Sequence, residues 1–253
     1  MSVSNPFISP ESFHYSSYTV VDKTTHKAIT KKQGVAGKLV ESVAGQLRDF
    51  ILLKEHPCII ARSTIRSGAC CFGLYPELGS NSATAGLSRD LATFLEKRKN
   101  NPDTYASFMA VFEQPLNMSE LLFEKLLWKQ LQLLQQASAP HYLWDNTTSP
   151  DPDDKNFGFS FGGKAFYVVG MHPNSSRKSR QFTHPMLVFN MHEQFEAMRT
   201  KGAYEKVKTV IRRNDKRLQG SNNPMLQDFG HASEAKQYSG RAVSENWKCP
   251  FHA

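Results

Sequence analysis

The segment FGFSFGGKAFYVVGM, residues 157–171, decides the fold of this chain. Two runs rich in aromatic and β-branched residues flank Gly162 and Gly163, which predicts a β-hairpin that turns at these glycines. Further strands are predicted at SFMAVFEQ (107–114) and MLVFN (186–190). Because helical patterns separate the strands without strict βαβ order, we predict an α/β (mixed α+β) domain, in which helices cover a mixed β-sheet.

Amphipathic patterns predict three helices before the hairpin. The first is KLVESVAGQLRDFILL (38–53), and the second is LSRDLATFLEKRKNN (87–101), which ends at two asparagines. The third begins after Ser119, a plausible N-cap, and runs to about Gln136. After the hairpin, HEQFEAMR predicts a further helix, with Asn190 as the N-cap.

Between the first two helices, PCIIARS (57–63) and GACCFGLY (68–75) predict two short strands separated by a basic turn. Cys58, next to a proline and ahead of a β-branched run, is predicted to be a core residue. The Ser/Thr-rich residues 1–34 predict an N-terminal arm or cap, and residues 35–253 form the main domain.

The composition argues against a membrane protein, a secreted protein and a protein that depends on disulfides. A chain of 253 residues with 40% hydrophobic residues can bury a core without disulfides. No window approaches the ~18 apolar residues of a membrane helix, and the N-terminus lacks a secretory pattern. The four cysteines form no CxxC motif. We therefore expect a soluble, cytoplasmic protein.

A net charge of +8 favours an anionic partner. The basic stretch KVKTVIRRNDKR (206–217) has no interleaved aromatic residues and fits no nucleic-acid motif, so it is interpreted as a solvated helix face. Nucleic acid and membranes are not expected partners. GxGxxG, Walker A and HExxH motifs are absent, and the GxSxG match around Ser160 leads into a strand rather than the helix that a nucleophile elbow needs.

The densest polar cluster is GMHPNSSRKSR, residues 170–180. His172 precedes a proline, which favours extended backbone and a stiff position at the end of a strand. Arg177 and Arg180 can bind carboxylates or phosphates bidentately, and Ser175 adds a hydroxyl donor. The alternative is a surface loop in which these groups satisfy one another.

Two other side chains are candidate ligands. His192, in the first turn of its helix, is favoured as a neutral imidazole, although capping or packing is the alternative. Cys249 lies in the apolar WKCPF segment, where a thiol normally packs, but a thiolate in an apolar shell is also a haem ligand. His184 is a weaker candidate. The polar segments 218–226 and 234–241 supply either site contacts or turns, through Asn222, Asn223, Gln237, Tyr238 and Arg241.

From about Pro57 to Phe251 the chain resembles the YqcI/YcgG family. The resemblance rests on these strings in order: PC at 57 and 58, FMAVFE, SExxFExxLW, FSFGGKAFYVVGMHPNSSRKSR, LVFNMHEQFEAMR, LQGSNNPML, QYSGR and WKCPF. It implies that residues 35–253 form a catalytic domain with haem b. The activity it implies is that of an oxidoreductase that uses dioxygen and an external electron donor to hydroxylate an amine or guanidine nitrogen of an amino acid or related small molecule.

The resemblance also implies residue roles. His172 is the preferred axial ligand of the haem iron, with His192 and Cys249 as alternatives, and Arg177 and Arg180 would contact the propionates. A cationic substrate needs an acidic partner that also helps to deprotonate the nitrogen, for which Glu113, Glu120 and Asp145 are candidates. The alternative function is a non-catalytic haem-binding sensor or carrier. The oligomeric state, including a homodimer, stays open.

Overall fold

The computed structural model describes residues 5–53, 56–99 and 105–253 and contains a seven-stranded sheet. In spatial order the strands are β2 (Ala28–Ile29), β1 (Thr19–Val21), β3 (Cys70–Glu77), β4 (Ser107–Gln114), β7 (Met186–Met191), β6 (Lys164–Met171) and β5 (Phe159–Phe161). Strands β3 and β4 are parallel, and all other neighbours are antiparallel. The predicted mixed sheet is therefore confirmed.

Helices lie on both faces of this sheet. Within the described ranges they are α1 (Pro10–Tyr15), α2 (Gly34–Arg48), α3 (Ile59–Ser67), α4 (Asn81–Arg98), α5 (Glu120–Ser138), α6 (His192–Thr200), α7 (Tyr204–Gln219) and α8 (Ala235–Tyr238). A π-helical turn, Asp49–Leu53, extends α2, and a 3₁₀ turn, Lys178–Arg180, follows β6. None of these helices is both long and apolar enough to cross a membrane.

The two faces of the sheet pack against different helices because successive strand residues point to opposite sides. In β4, Phe108 and Phe112 belong to a core shared with α4 and α5. Met109 and Val111 belong to a second core, shared with α2 and α3. On this second face several residues of β6 and β7 are only half-buried, which indicates incomplete filling.

The hairpin forms as predicted. Gly162 and Gly163 both have positive φ, at 62° and 72°, a conformation that glycine adopts without steric cost. Ser160 lies in strand β5, in agreement with its interpretation as a strand residue. The predicted Ser119 cap is also confirmed, since its side chain accepts from the Leu122 N–H.

Two predictions of local structure are wrong. Residues of PCIIARS form helix α3 rather than a strand, because the Cys58 side chain caps the Ala61 N–H and Gly68 ends the helix in the left-handed conformation. Asn190 does not cap α6. It stays in strand β7, where its side chain accepts a hydrogen bond from Ser107 Oγ at 2.7 Å, and the capping position falls on Met191.

The N-terminal segment contributes more structure than its periodicity predicts. Strand β1 joins the sheet beside β3, and helix α1 packs on α4. Asp90 of α4 ties this segment down, since it accepts hydrogen bonds from Ser16 Oγ and the Ser17 N–H. The predicted end of the second helix at Asn100 and Asn101 lies outside the described residues.

Candidate functional site

A cavity of about 270 Å³ lies on the sheet face shared with α2 and α3. Its floor consists of half-buried side chains of three adjacent strands. We call it the sheet-face cavity and define it by those floor residues: Ser107, Tyr167, Val169, Val188 and Asn190. Helices α3 and α6 and the segment 226–237 border it, and α7 lies over it.

The lining of this cavity is mostly apolar. Met109, Met171 and Met186 extend the floor, and Phe195 and Phe229 stand at one side. Methionine side chains adapt to irregular ligands, and enclosed apolar surfaces with a few polar groups are typical of small-molecule sites. The cavity therefore has the character of a ligand-binding site.

Helix α7 covers the cavity with a half-buried apolar face, to which Val207 and Ile211 contribute. No residue of this helix is fully buried, so the cavity beneath it replaces the packing that a surface helix normally has. The predicted solvated face of residues 206–217 is thus confirmed for the outer side of α7 alone.

Three cations border the cavity, and each already has an acidic partner. Lys208 pairs with Asp228 at 2.8 Å, and Arg212 pairs with the same carboxylate at 3.3 Å. Arg199 pairs with Glu196 and lies over the Tyr204 ring at 4.3 Å. The rim of the cavity therefore carries many charged groups, and each of these positive charges is paired with a nearby negative charge.

The polar groups of the floor are held in place by hydrogen bonds. Tyr167 Oη donates to Gln237 Oε1 at 3.0 Å, and Gln237 Nε2 donates to the Gln227 carbonyl at 3.1 Å. Asn190 Nδ2 donates to the Tyr167 carbonyl at 3.2 Å. Burial raises the pKa of Tyr167, so its hydroxyl stays protonated near neutral pH.

Glu234 is the exception to this pattern. It lines the cavity with 7% of its surface exposed, and its Oε2 has no hydrogen-bond partner among the described residues. Burial raises the pKa of its carboxyl to about 8, opposed in part by the charge of Arg199. A buried carboxyl without a partner is costly and marks a functional candidate.

His56 and Cys58 stand together at the border formed by α3. His56 Nδ1 accepts from the Cys58 N–H at 3.3 Å, so the ring proton lies on Nε2, which donates to the Ser179 carbonyl at 3.1 Å. Burial lowers the pKa of His56 to about 4 and keeps the ring neutral. Both ring nitrogens therefore have partners.

The Cys58 thiol has weaker contacts. Its Sγ accepts from the Ala61 N–H at 3.4 Å, a long contact at the first turn of α3. Burial raises the pKa of the thiol, and the amide N–H groups of that turn oppose this effect. Both nitrogens of His56 are occupied by hydrogen bonds, so of the two side chains Cys58 is the one whose lone pairs could bind a metal ion.

His172, the preferred ligand in the sequence, does not line this cavity. Its ring stacks on Phe123 of α5 with centroids 4.4 Å apart, on the opposite side of the sheet, and only 1% of its surface is exposed. Burial lowers its pKa, and its Nδ1 has no partner among the described residues. The ring is packed against the α5 core.

The two arginines that follow His172 in the sequence are hydrogen-bonded to other parts of the protein. Arg177 donates to Asp215 and, at 2.8 Å, to the Ser221 carbonyl. Arg180 Nη1 donates to the carbonyls of Gly170 at 3.2 Å and Tyr238 at 3.0 Å.

Ser175 takes part in this same loop, since its Oγ accepts from the Arg177 N–H at 3.3 Å. The polar cluster of residues 170–180 is therefore hydrogen-bonded within itself and to helix α7, and its side chains His172, Ser175, Arg177 and Arg180 are buried rather than on the surface.

The other two candidate ligands are packed as well. His192 lies 3.4 Å from Glu196 through Nε2 and contacts the Phe229 ring, and burial lowers its pKa. Cys249 belongs to the α5-side core, where burial raises the pKa of its thiol to about 12. Neither lines the sheet-face cavity, and His184 is likewise outside it.

The three predicted carboxylates are not brought together. Glu113 is exposed at the end of β4. Glu120 accepts from the Ser176 N–H and Oγ at 2.9 and 2.8 Å. Asp145 accepts from Thr147 and from the Ala165 N–H, and these hydrogen bonds outweigh burial and lower its pKa. Glu120 and Asp145 therefore hold loop backbone, whereas Glu113 lies on the exposed end of a strand.

The polar C-terminal segments have mixed roles. Gln237 lines the cavity, as the site interpretation expects, whereas Tyr238 is fully buried. Arg241 binds Glu124 of α5 through Nη2 at 2.7 Å. Asn223 Oδ1 accepts a hydrogen bond from the Met225 N–H within a turn, and Asn222 is exposed.

Sequence reasoning missed Glu234, His56 and Cys58 as site residues. Two signals pointed towards them. The PC string at 57 and 58 is part of the family resemblance, and Glu234 begins the polar segment 234–241.

Comparisons with known proteins give the family and little beyond it. The model of the YqcI/YcgG family matches residues 47–252. The chain is 28% identical over 239 residues, 85% of this chain and 91% of the relative, to the uncharacterized protein YqcI of Bacillus subtilis (strain 168). No solved structure matches the chain.

Proposed function

We propose, on the premise that the chain belongs to the YqcI/YcgG family, that it is a haem-dependent N-oxygenase. Its substrate would be an amino acid or related small molecule with an amine or guanidine nitrogen. The observation that supports the proposal best is the sheet-face cavity, which is mainly apolar and bordered by a thiol. Substrate and cofactor would enter this cavity rather than the loop after β6.

The loop after β6 does not fit a haem as arranged. The His172 ring is 1% exposed and stacks on Phe123, so a porphyrin could reach its nitrogens only if the packing around the ring opened. Arg177 and Arg180, the expected propionate contacts, would have to leave Asp215 and two backbone carbonyls. Removing buried cations from their partners is costly.

The side chains of the sheet-face cavity include groups that bind haem iron, and α7 would have to move outward to admit a porphyrin, because the present volume is about 270 Å³. Haem iron is held in proteins by imidazole, thiolate, thioether or phenolate groups, and Cys58, Tyr167 and several methionines line this cavity. We propose Cys58 as the axial ligand because both nitrogens of His56 are occupied. Arg199, Lys208 and Arg212 at the rim would exchange their present acidic partners for the propionates.

Haem bound here would supply the activation of dioxygen. The residues of the chain would position the ligand, exclude water and hold a proton. His56 would position Cys58 by accepting a hydrogen bond from the Cys58 N–H. The apolar side chains of the cavity would keep water away from the reacting nitrogen. The Tyr167 hydroxyl, which donates to Gln237, would hold a proton within the cavity near neutral pH.

Absorption spectra of the purified protein with added hemin test this proposal. We expect a Soret band that is lost or shifted in Cys58→Ala. The matched control is Cys249→Ala, which removes a thiol outside the cavity, and His172→Ala tests the loop. Loss of the band in His172→Ala with an unchanged Cys58→Ala spectrum would contradict the assignment.

Turnover needs a separate measurement. The protein would be incubated with a panel of amino acids, a reductant and dioxygen, and the products examined by mass spectrometry for the gain of one oxygen atom. Haem binding without product across the panel would favour the sensor or carrier alternative.

A further inference from the structure

We propose that Glu234 forms a subsite of the sheet-face cavity that binds a cationic nitrogen of the ligand. This inference rests on the cavity being the ligand site of the proposed function, but not on haem. Glu234 is more than nine-tenths buried, lines the cavity and leaves Oε2 without a partner among the described residues. An unsatisfied buried carboxyl oxygen destabilises the folded state, and a bound N–H donor would offset this cost.

The backbone that carries Glu234 is held by hydrogen bonds. The Glu234 carbonyl accepts from the Gln237 N–H at 2.9 Å, and Ser233 Oγ donates to the Pro152 carbonyl at 2.6 Å. Ser233 Oγ also accepts from the Ala235 N–H at 3.2 Å. These contacts fix the backbone at Glu234 beside the cavity, which lowers the cost of ordering this segment when a ligand binds.

The protein's own cations do not satisfy this carboxyl. Arg199 is the charged group that acts on it most strongly, yet its guanidinium pairs with Glu196 and stacks on Tyr204. Glu196 of α6 adds repulsion to the ionised form of Glu234. Burial raises the pKa of Tyr167 on β6 and of Tyr238 on α8, and Glu234 in turn raises the pKa of both further. Among the described residues Oε2 therefore stays unsatisfied beside the cavity, and a cationic ligand would pair with it once the Glu234 side chain turns towards the ligand.

Aromatic rings favour the same class of ligand. Tyr167, Phe195 and Phe229 line the cavity together with Glu234. The faces of such rings attract alkylammonium and guanidinium groups, most strongly where water is excluded. A neutral ligand of the same shape would gain neither the ion pair nor the ring contacts.

Binding of a cation should also release a proton. Because the pKa of the Glu234 carboxyl is about 8, most of the carboxyl is protonated at neutral pH. The ligand selects the ionised form, so its binding is coupled to deprotonation. If Glu234 only packed against its neighbours, ligand binding would not be coupled to release of a proton.

The test is isothermal titration calorimetry of the full chain, as purified, with n-butylguanidinium and its neutral analogue n-butylurea. In the wild type we expect butylguanidinium to bind at least roughly tenfold more tightly than butylurea. At about pH 7 the heat should vary with the ionisation enthalpy of the buffer, since roughly one proton is released per ligand.

The variant Glu234→Gln should lose this preference, with both probes binding alike. Glu193→Gln, which removes a half-exposed carboxylate of α6, is the matched control and should retain it. Equal binding of the two probes to the wild type, or a preference that survives in Glu234→Gln, would overturn the proposal.

The buffer dependence needs only the wild type and therefore does not depend on folding of the variant. A protein that shows the cation preference but no Soret band would retain the Glu234 subsite and lose the haem proposal.

Discussion

Arg177 donates a hydrogen bond to Asp215 and thereby joins the loop after β6 to helix α7, which covers the sheet-face cavity. Ser179 Oγ donates to the other oxygen of the same carboxylate at 3.1 Å. Both members of the ion pair are largely buried. The basic loop therefore anchors the cover of the cavity, and its charge serves the fold.

Removing Asp215 should destabilise the protein strongly. Asp215→Asn leaves the buried Arg177 charge without its partner, and we expect the free energy of unfolding to fall by about 3 kcal/mol. Glu193→Gln breaks the exposed pair with Lys164 and should cost less than about 1 kcal/mol. Urea unfolding followed by circular dichroism measures both. Equal losses in the two variants would contradict the anchoring role.

Gly170 should tolerate no side chain. A Cβ there would lie 2.7 Å from Leu127 and Phe123 and 2.8 Å from the Tyr238 carbonyl, so we expect Gly170→Ala to lower the free energy of unfolding by about 1–3 kcal/mol. Gly45, within α2, has open space around its Cβ position. Gly45→Ala should therefore raise stability by roughly 0.5–1 kcal/mol, as measured by thermal and urea unfolding. A stable Gly170→Ala variant would mean that the sheet and α5 are less tightly packed than described.

The contribution of Glu234 to the stability of the free protein should fall as the pH rises from about 5 to about 8. Burial raises the pKa of Glu234 from 4.5 to about 8. In that interval the unfolded chain has lost the proton that the folded chain retains, so the folded state loses stability with rising pH. Above the folded pKa the effect is complete.

Glu234→Gln has no such proton and should lack this dependence. Its stability relative to the wild type should therefore grow between about pH 5 and about pH 9, by on the order of a few kcal/mol at most. Urea unfolding of both proteins across this range gives the difference. A difference that does not change with pH would show that Glu234 ionises normally.

Filling the floor of the cavity should block ligand uptake without loss of the fold. Val188 is a half-buried floor residue, and Val188→Phe would extend a ring into the space above it. We expect hemin and butylguanidinium affinities to fall at least roughly tenfold. Val35→Phe, at an exposed position, is the control. Unchanged affinities in Val188→Phe would place both ligands elsewhere.

Much of the fold is predictable from the sequence because its signals are local. The hairpin at Gly162 and Gly163 and the cap at Ser119 follow from short patterns, and the structure confirms them. Helix α3 was missed because its cap is Cys58, outside the usual set of capping residues, and because two isoleucines begin it. Its helical conformation depends on packing against the second face of the sheet.

The candidate site was harder to predict, since it depends on residues far apart in the chain. His172, Arg177 and Arg180 form a dense polar motif, but their partners are Phe123, Asp215 and backbone carbonyls supplied by other elements. A polar cluster in sequence does not reveal whether its groups already satisfy one another. The cavity floor consists mainly of ordinary strand residues whose incomplete burial only the assembled sheet shows.

A crystal structure of the protein grown with hemin would test the central claim most directly. We predict porphyrin density between the sheet and α7, with the iron bonded to Cys58 Sγ and the His172 ring still stacked on Phe123. Iron bonded to His172 or His192, with the sheet-face cavity empty of porphyrin, would contradict the account.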